Sequence, residues 1–346
     1  MIGSRGAGFA LLSAALFGAC TPLAKLLLRD IDPWMLAGVL YLGSGLGLVL
    51  VKIVGGVRGE ASLRRREWLS LGAAILSGGV VGPVLLMVGL ARSTAASTAL
   101  LLNLEAVFTA VLAWFVFREN FDRRIAAGMV AIVTGGAVLA GGGDPATGGL
   151  LGPLAITAAC LAWAADNNLT RKVSLTDPLQ IALVKGCVAG TVNVTLALGL
   201  GSAWPEPRPL ALAALVGFGG YGVSLVLFVV ALRHIGAART GAYFSLAPFF
   251  GGAIAVVILR EPVTARLVTA GTLMALGVWL HLTERHEHEH MHEELVHEHR
   301  HVHDEHHQHA HDGTEPTGEP HSHPHVHTRL RHSHVHFPDP HHRHAH

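Results

Sequence analysis

Ten apolar runs, each about twenty residues long, follow one another through most of this chain. A helix needs about 20 apolar residues to cross roughly 30 Å of hydrocarbon. The runs cover 8–28, 34–55, 69–91, 95–117, 125–143, 150–170, 179–200, 210–232, 238–259 and 265–283. Turn and charge signals separate them, such as Arg29-Asp30-Ile31-Asp32-Pro33, Gly141-Gly142-Gly143-Asp144-Pro145 and Thr176-Asp177-Pro178. Ten such helices in water would have no polar faces left to meet solvent, and a membrane barrel would need shorter, alternating segments. The expected fold is an all-α membrane protein of ten transmembrane helices. The start, Met-Ile-Gly-Ser-Arg before an apolar run to Leu28, resembles a secretory leader but lacks a small-residue cleavage site, and reads as a retained first helix.

The charges divide the chain in two. Residues 1–283 hold 20 Lys+Arg and 12 Asp+Glu, whereas 284–346 hold 5 and 12 together with 23 of the 25 histidines. With the N-terminus in the cytoplasm, the inside loops carry thirteen basic residues (Arg5, Lys52, Arg58, Arg64, Arg65, Arg66, Arg118, Arg123, Arg124, Arg171, Lys172, Arg233 and Arg239). The outside loops then carry five (Arg29, Arg92, Arg208, Arg260 and Arg266). The positive-inside rule selects that orientation, and ten spans return the C-terminus to the cytoplasm of a bacterial-type inner membrane. Cys20, Cys160 and Cys187 all lie in apolar runs without a CxxC pair, and read as small buried residues rather than a disulfide or thiolate site.

The chain compares with itself. At an offset of 142, Ala95-Ala96-Ser97-Thr98 falls on Ala237-Ala238-Arg239-Thr240, Leu104 on Leu246, Phe108 on Phe250, and Arg118-Glu119 on Arg260-Glu261. At an offset of 146, Phe17 meets Trp163, Leu23 meets Leu169 and Lys25 meets Arg171. Apolar composition cannot produce the shared Arg-Glu. Because each copy has an odd number of spans, the second crosses the membrane in the opposite sense. Secondary transporters use such repeats, with the binding site near the midplane between the halves.

These residues resemble the EamA family of the drug/metabolite transporter superfamily. The resemblance is carried by 91–119, by 231–261 with its Leu-Ala-Pro-Phe-Phe, by Ala15-Leu16-Phe17-Gly18 and by Cys160-Leu161-Ala162-Trp163. It implies two inverted five-helix EamA repeats, 8–143 and 150–283, with both ends cytoplasmic and export or exchange of small metabolites. Phe17 stands where the family often has Trp, and Ala106 where it often has Pro. The histidine-rich tail, 284–346, has no counterpart in that resemblance.

Ionisable and polar groups deep in a span are costly and are candidates for function. Glu105 lies mid-helix with Asn103 two residues before it; its carboxylate is suited to a substrate cation or amine, or to carrying a proton, and equally to a structural hydrogen bond. Asp166, Asn167 and Asn168 form a polar triplet in the sixth run, and Lys185 lies in the seventh, within pairing distance of Asp166 if the two helices form a hairpin. The reading is a polar cavity lining; the alternative is a static ion pair. Lys25 and Arg171, near helix ends, read as interfacial anchors. Pro22, Gly82-Pro83, 217–222 and Pro248 with Gly251-Gly252 are breakers that suit close packing or rocking. Asn168-Leu169-Thr170 and Asn193-Val194-Thr195 match a glycosylation pattern but lie within spans, and are discounted.

In the tail, histidine alternates with Glu and Asp over 286–312, and prolines fill 313–346. The first part pairs His286/His290, His288/His292, His297/His301, His299/His303 and His303/His307 at i, i+4, so that a helix could chelate ions between them. The second part is expected to be disordered. Imidazole with carboxylate and no thiolate suits Ni, Zn, Co or Cu(II), with affinity falling below about pH 6.5 as imidazoles protonate. His297-Glu298-His299-Arg300-His301 matches the H-E-x-x-H protease pattern, as does 286–290, but this arises by chance in such a segment.

The expected function is a secondary transporter of a small metabolite, not an enzyme and without a required cofactor; no phosphate-binding G-x-x-x-x-G-K-[ST] loop is present. Its expected partners are the lipid bilayer, a small-molecule substrate and divalent transition metal on the tail, with no nucleic acid; a homodimer is compatible with the sequence. The alternatives are transport of a divalent metal or its chelate, and a non-transporting metal sensor or store.

Overall fold

The computed structural model describes residues 2–54, 67–117, 123–141, 149–170, 178–283, 286–292, 295–301, 321–327 and 330–336. The membrane part is all-helical. We label its rods α1 (Ile2–Leu27), α2 (Pro33–Val54), α3 (Trp68–Ala91), α4 (Ala95–Phe115), α5 (Arg123–Ala140), α6 (Leu151–Thr170), α7 (Pro178–Gly199), α8 (Pro207–Leu232), α9 (Arg239–Leu259) and α10 (Ala265–Leu282). Among the described residues, nine helices are long and apolar enough to cross a membrane. The remaining rod, α6, has 20 residues, and its Asp-Asn-Asn triplet lowers its hydropathy. The outer faces carry apolar side chains such as Leu69, 84% exposed, and Val257, 76% exposed, which water would not tolerate in such number but lipid does.

The halves are interleaved. α2 packs on α7, α5 packs on α10, α1 lies against α8 and α9, and α6 lies against α3 and α4. Exchanging the two halves therefore leaves the packing scheme unchanged. Lipid tails are as apolar as the helices, so association depends on close contact rather than on the hydrophobic effect. Glycine provides that contact at the two self-matching crossings. A Cβ on Gly186 of α7 would lie 2.7 Å from the Cα of Gly45 in α2, and one on Gly277 of α10 would lie 2.6 Å from the carbonyl oxygen of Gly128 in α5. Fully buried Met35, Leu36, Leu40, Met87, Leu101, Ile132, Ile156 and Met274 fill the space between the rods.

Two departures from regular helix recur in both halves. α3 changes to π-helix over Ile75–Val81 and α8 does so over Phe218–Val223, at matching repeat positions. α4 breaks at Leu102-Asn103 and α9 at Ser245-Leu246, within one residue of matching positions. At each break a polar side chain takes the carbonyl three residues back: Asn103 Nδ2 donates to Leu100 O (2.8 Å) and Ser245 Oγ to Ala242 O (2.7 Å). The chain passes from α8 to α9 through Gly236, whose φ of 77° only glycine adopts without strain.

The breaks part α4 from α9 at one end. Taking the end where α1 begins as proximal, the distal piece of α4 (Ala95–Leu101) packs on the distal piece of α9 (Ala247–Leu259). The proximal piece of α4, from Leu104 on, packs instead on α6 and α5.

The tail differs from expectation. Instead of helix and disorder, four strands form: β1 (His286–His292), β2 (Leu295–His301), β3 (His321–His327) and β4 (Leu330–His336). β1 pairs antiparallel with β4, and β2 with β3. The reason is period: histidine recurs every second residue, which is the repeat of a strand and not of a helix. Pro324 is accommodated because a strand in a two-stranded ribbon is an edge. His297, Glu298 and His301 lie on a strand, whereas the H-E-x-x-H chemistry needs them on a helix. His303 and His307 lie outside the described residues.

Candidate functional site

The polar residues of the membrane part converge on the π-turn of α3. Within that turn the N–H of Gly82 donates to Ser77 O, five residues back. The next donor in that register would be residue 83, which is proline and has no N–H. Gly78 O thus lacks an intrahelical partner, and a buried carbonyl without one is costly. Two side chains from other helices supply it: Tyr41 OH of α2 donates at 2.9 Å and Trp163 Nε1 of α6 at 2.8 Å. Asn193 Nδ2 of α7 donates to Gly79 O at 3.0 Å. The matching turn in α8 is followed by Ser224-Leu225, neither of which is proline, so both keep their N–H donors.

Asp166 and Lys185 lie beside this turn. Lys185 Nζ donates to Asp166 Oδ1 at 2.7 Å and also reaches Oδ2; Thr170 Oγ1 donates to Oδ1 at 2.9 Å. The carboxylate side chain is 7% exposed and the amine 18%. On the neighbouring face of α6, Asn167 Nδ2 donates to Glu105 Oε1 at 2.8 Å and to Thr109 Oγ1 at 3.3 Å, and Asn167 itself is exposed. Asn168 is buried and its amide donates to Ala164 O and Thr109 O, both backbone groups. The six sequence candidates therefore separate. Glu105 and Asn167 form an amide–carboxylate pair, Asp166 and Lys185 an ion pair, and Asn103 and Asn168 are engaged by backbone.

An aromatic row completes the region and joins the halves. Tyr41 packs on Tyr221 of α8 with ring centroids 5.6 Å apart, Tyr221 on Phe17 of α1 at 5.7 Å, Phe17 on Phe244 of α9 at 5.3 Å, and Phe244 on Phe228 at 5.0 Å. Phe17 thus faces the π-turn of α8 as its repeat partner Trp163 faces that of α3. The scaffold is symmetric and its chemistry is not: carboxylates, amides and an amine gather beside the π-turn of α3, and aromatic rings beside that of α8. Sequence reasoning missed Tyr41, Thr109, Tyr221 and Asn193. Among the residues whose side chains are described, no group of three or more His, Cys, Asp or Glu is placed to hold a metal ion.

The distal end is closed by two charges that sequence alone left as an anchor and a repeat marker. Lys25 Nζ does not run free to an interface. It donates to Leu90 O (2.6 Å), Ser93 O (2.8 Å) and Ala91 O (3.3 Å), carbonyls at and just past the C-terminus of α3. Glu261 accepts from the N–H groups of Ala95 (2.7 Å) and Ala96 (2.8 Å), the free donors at the N-terminus of α4. Each charge matches the helix dipole it meets. Arg260 turns the chain here with a left-handed φ of 54°. Lys25, Arg29, Ala91 and Glu261 line a cavity of about 310 Å³ at this end. The repeat partners, Arg171 and Glu119, lie outside the described residues. Removing the Glu261 tie should loosen the distal seal. Glu261→Ala is expected to raise the rate at which a membrane-impermeant maleimide labels Ser93→Cys by about tenfold, about 1.4 kcal/mol of opening, relative to Ser93→Cys alone. An unchanged rate would show that the tie does not close this end.

Comparison with known proteins agrees with the fold. The family model for EamA-like transporters matches residues 4–141 and again 150–283. An uncharacterized transporter of Methanothermobacter thermautotrophicus is 31% identical over 285 residues, which cover 76% of this chain and 82% of the relative. A crystal structure of a protein 17% identical covers 79% of this chain and 95% of its own, with a TM-score of 0.59, and shows likeness of fold alone.

Proposed function

We propose that this chain, which belongs to the EamA-like transporter family, is a secondary transporter that exports or exchanges a small metabolite bearing a cationic or amine group. It is a multi-pass membrane transporter by family and by its apolar helices. In the proposed reading it makes ten spans of a bacterial-type inner membrane, with both ends in the cytoplasm, so the proximal end faces the cytoplasm. The observation that carries the substrate class is Glu105. Its carboxylate lies two residues past Asn103, the second turn residue of the α4 break, and is held by exposed Asn167. A carboxylate favours a compact cation over an anion, and aromatic faces such as those of the Tyr41–Tyr221 row do the same. The parting of α4 from α9 at the proximal end gives such a solute its way in, and the Lys25 and Glu261 ties close the way out.

The test is counterflow in proteoliposomes loaded with an extract of cellular metabolites and read by mass spectrometry. At least one amine-bearing solute should exchange with the parent protein, and Glu105→Gln should lower that exchange at least tenfold at equal protein content. Exchange confined to anionic or uncharged solutes, or exchange indifferent to Glu105→Gln, would overturn the reading.

A further inference from the structure

The tail ladders have a property that the transport reading does not use. Their register sets histidine directly opposite histidine. In the first ribbon His286 pairs with His336, His288 with His334 and His290 with His332. In the second, His297 pairs with His325, His299 with His323 and His301 with His321. Residues directly opposed in an antiparallel pair occupy the same face, as do residues two apart along a strand. Each ribbon therefore carries three opposed His–His positions on one face. Glu287, Glu289, Glu298 and Arg300 occupy the alternate positions.

Two further features relate the two ribbons to each other. The two ribbons share one register: carrying the pairing of β1 with β4 inward by residue number gives the pairing of β2 with β3. The histidine phase also changes in both arms, β1–β2 and β3–β4, across the same break. In the outgoing arm it steps by five from His292 to His297, and in the returning arm by five from His327 to His332. A tail that needed only many imidazoles would not require its two arms to change phase together.

We propose that the two arms form one hairpin, a divalent-metal site in which each ion is held by imidazoles from both arms, so that binding closes the hairpin. Opposed positions have Cβ atoms about 4.5–5.5 Å apart, a separation that two ligands of one ion can bridge. Neutral imidazole selects Zn, Ni, Co or Cu(II) over Mg or Ca. Because each ion needs both arms, metal binding and strand pairing are one event. This site is independent of the transport path, and its test does not measure transport.

Full-length protein in detergent is dialysed against Zn²⁺ alone and its bound zinc is measured by elemental analysis. Three triple substitutions are compared: His286→Ala with His288→Ala and His290→Ala; His332→Ala with His334→Ala and His336→Ala; and, outside the ladders, His341→Ala with His342→Ala and His344→Ala. The first two should each remove about half of the tightly bound zinc, since three of the six opposed positions lie in that ribbon. Combining them should remove no more than either alone, and the third should leave tight binding unchanged. A combined loss equal to the sum of the two would mean that imidazoles bind independently and would overturn the proposal. Equal loss from the third triple would do the same. Register is checked separately by oxidation. Glu289→Cys with Ser333→Cys, an opposed pair, should form an intramolecular disulfide faster when zinc is present; a rate indifferent to zinc would overturn the closing of the hairpin by metal.

Discussion

Lys185→Met is expected to deplete folded protein, and adding Asp166→Asn is expected to restore it. In the parent, the Asp166 carboxylate is 7% exposed and has the Lys185 amine at 2.7 Å and the Thr170 hydroxyl at 2.9 Å. Removing the amine leaves one hydroxyl to stabilise a buried charge. Breaking a buried pair from one side costs on the order of 3–5 kcal/mol, which is much of the stability a protein of this kind has to spare. Asp166→Asn alone should cost a similar amount, because the amine of Lys185 then loses the carboxylate it is paired with. With both changes no net charge remains, and the Asn side-chain oxygen still accepts from Thr170. Thermal unfolding of detergent-solubilised protein, followed by size-exclusion, gives the order: the double variant should lie nearer the parent than either single. If all three unfold at the parent's temperature, water already screens the pair. Transport by the restored double variant decides the pair's role. Recovery of exchange along with folding would make the pair a scaffold; folding without exchange would place it in the path.

How much of this was legible in the sequence follows from how local each signal is. The Asp166–Lys185 pairing could be read because a lone charge in hydrocarbon is costly and the two helices are consecutive. Likewise, the inverted repeat was written in Arg118-Glu119 and Arg260-Glu261, charges that apolar composition cannot supply. The purpose of Glu261 was not legible, since the N–H groups it accepts from belong to Ala95 and Ala96, far away in the chain and in the other half. Asn193 was set aside with a glycosylation pattern, yet it supplies Gly79 O. In the tail, a two-residue period was present in the sequence, but pairing histidines at i, i+4 favours a helix without excluding a strand, where those residues also share a face. The opposed register depends on the return arm, which composition alone marked only as proline-rich.

The α3 π-turn is the element sequence reading came nearest to and still missed. Gly82-Pro83 was visible as a breaker, but a breaker does not say which carbonyl loses its donor or which helix replaces it. Gly78→Ala tests that arrangement directly. The methyl group has nowhere to go: its Cβ would lie 2.5 Å from the Asp166 Cβ and overlap the carboxylate itself. Relief requires either moving α6 away from α3, which breaks the Trp163 hydrogen bond to Gly78 O, or swinging Asp166 off Lys185. Overpacking of this kind costs about 1–3 kcal/mol, and loss of the ion-pair geometry adds to it. Gly72 gives the matched control. It lies one and a half turns earlier on the same helix, and a Cβ there meets nothing within 4 Å. Gly72→Ala should therefore leave folding intact or stabilise it by up to about 1 kcal/mol through helix propensity. The expected result is a lowered unfolding temperature and lost metabolite exchange for Gly78→Ala, with neither effect for Gly72→Ala. Equal behaviour of the two variants would mean that α3 and α6 are not in this contact, and that the ring of donors around the π-turn does not organise the site.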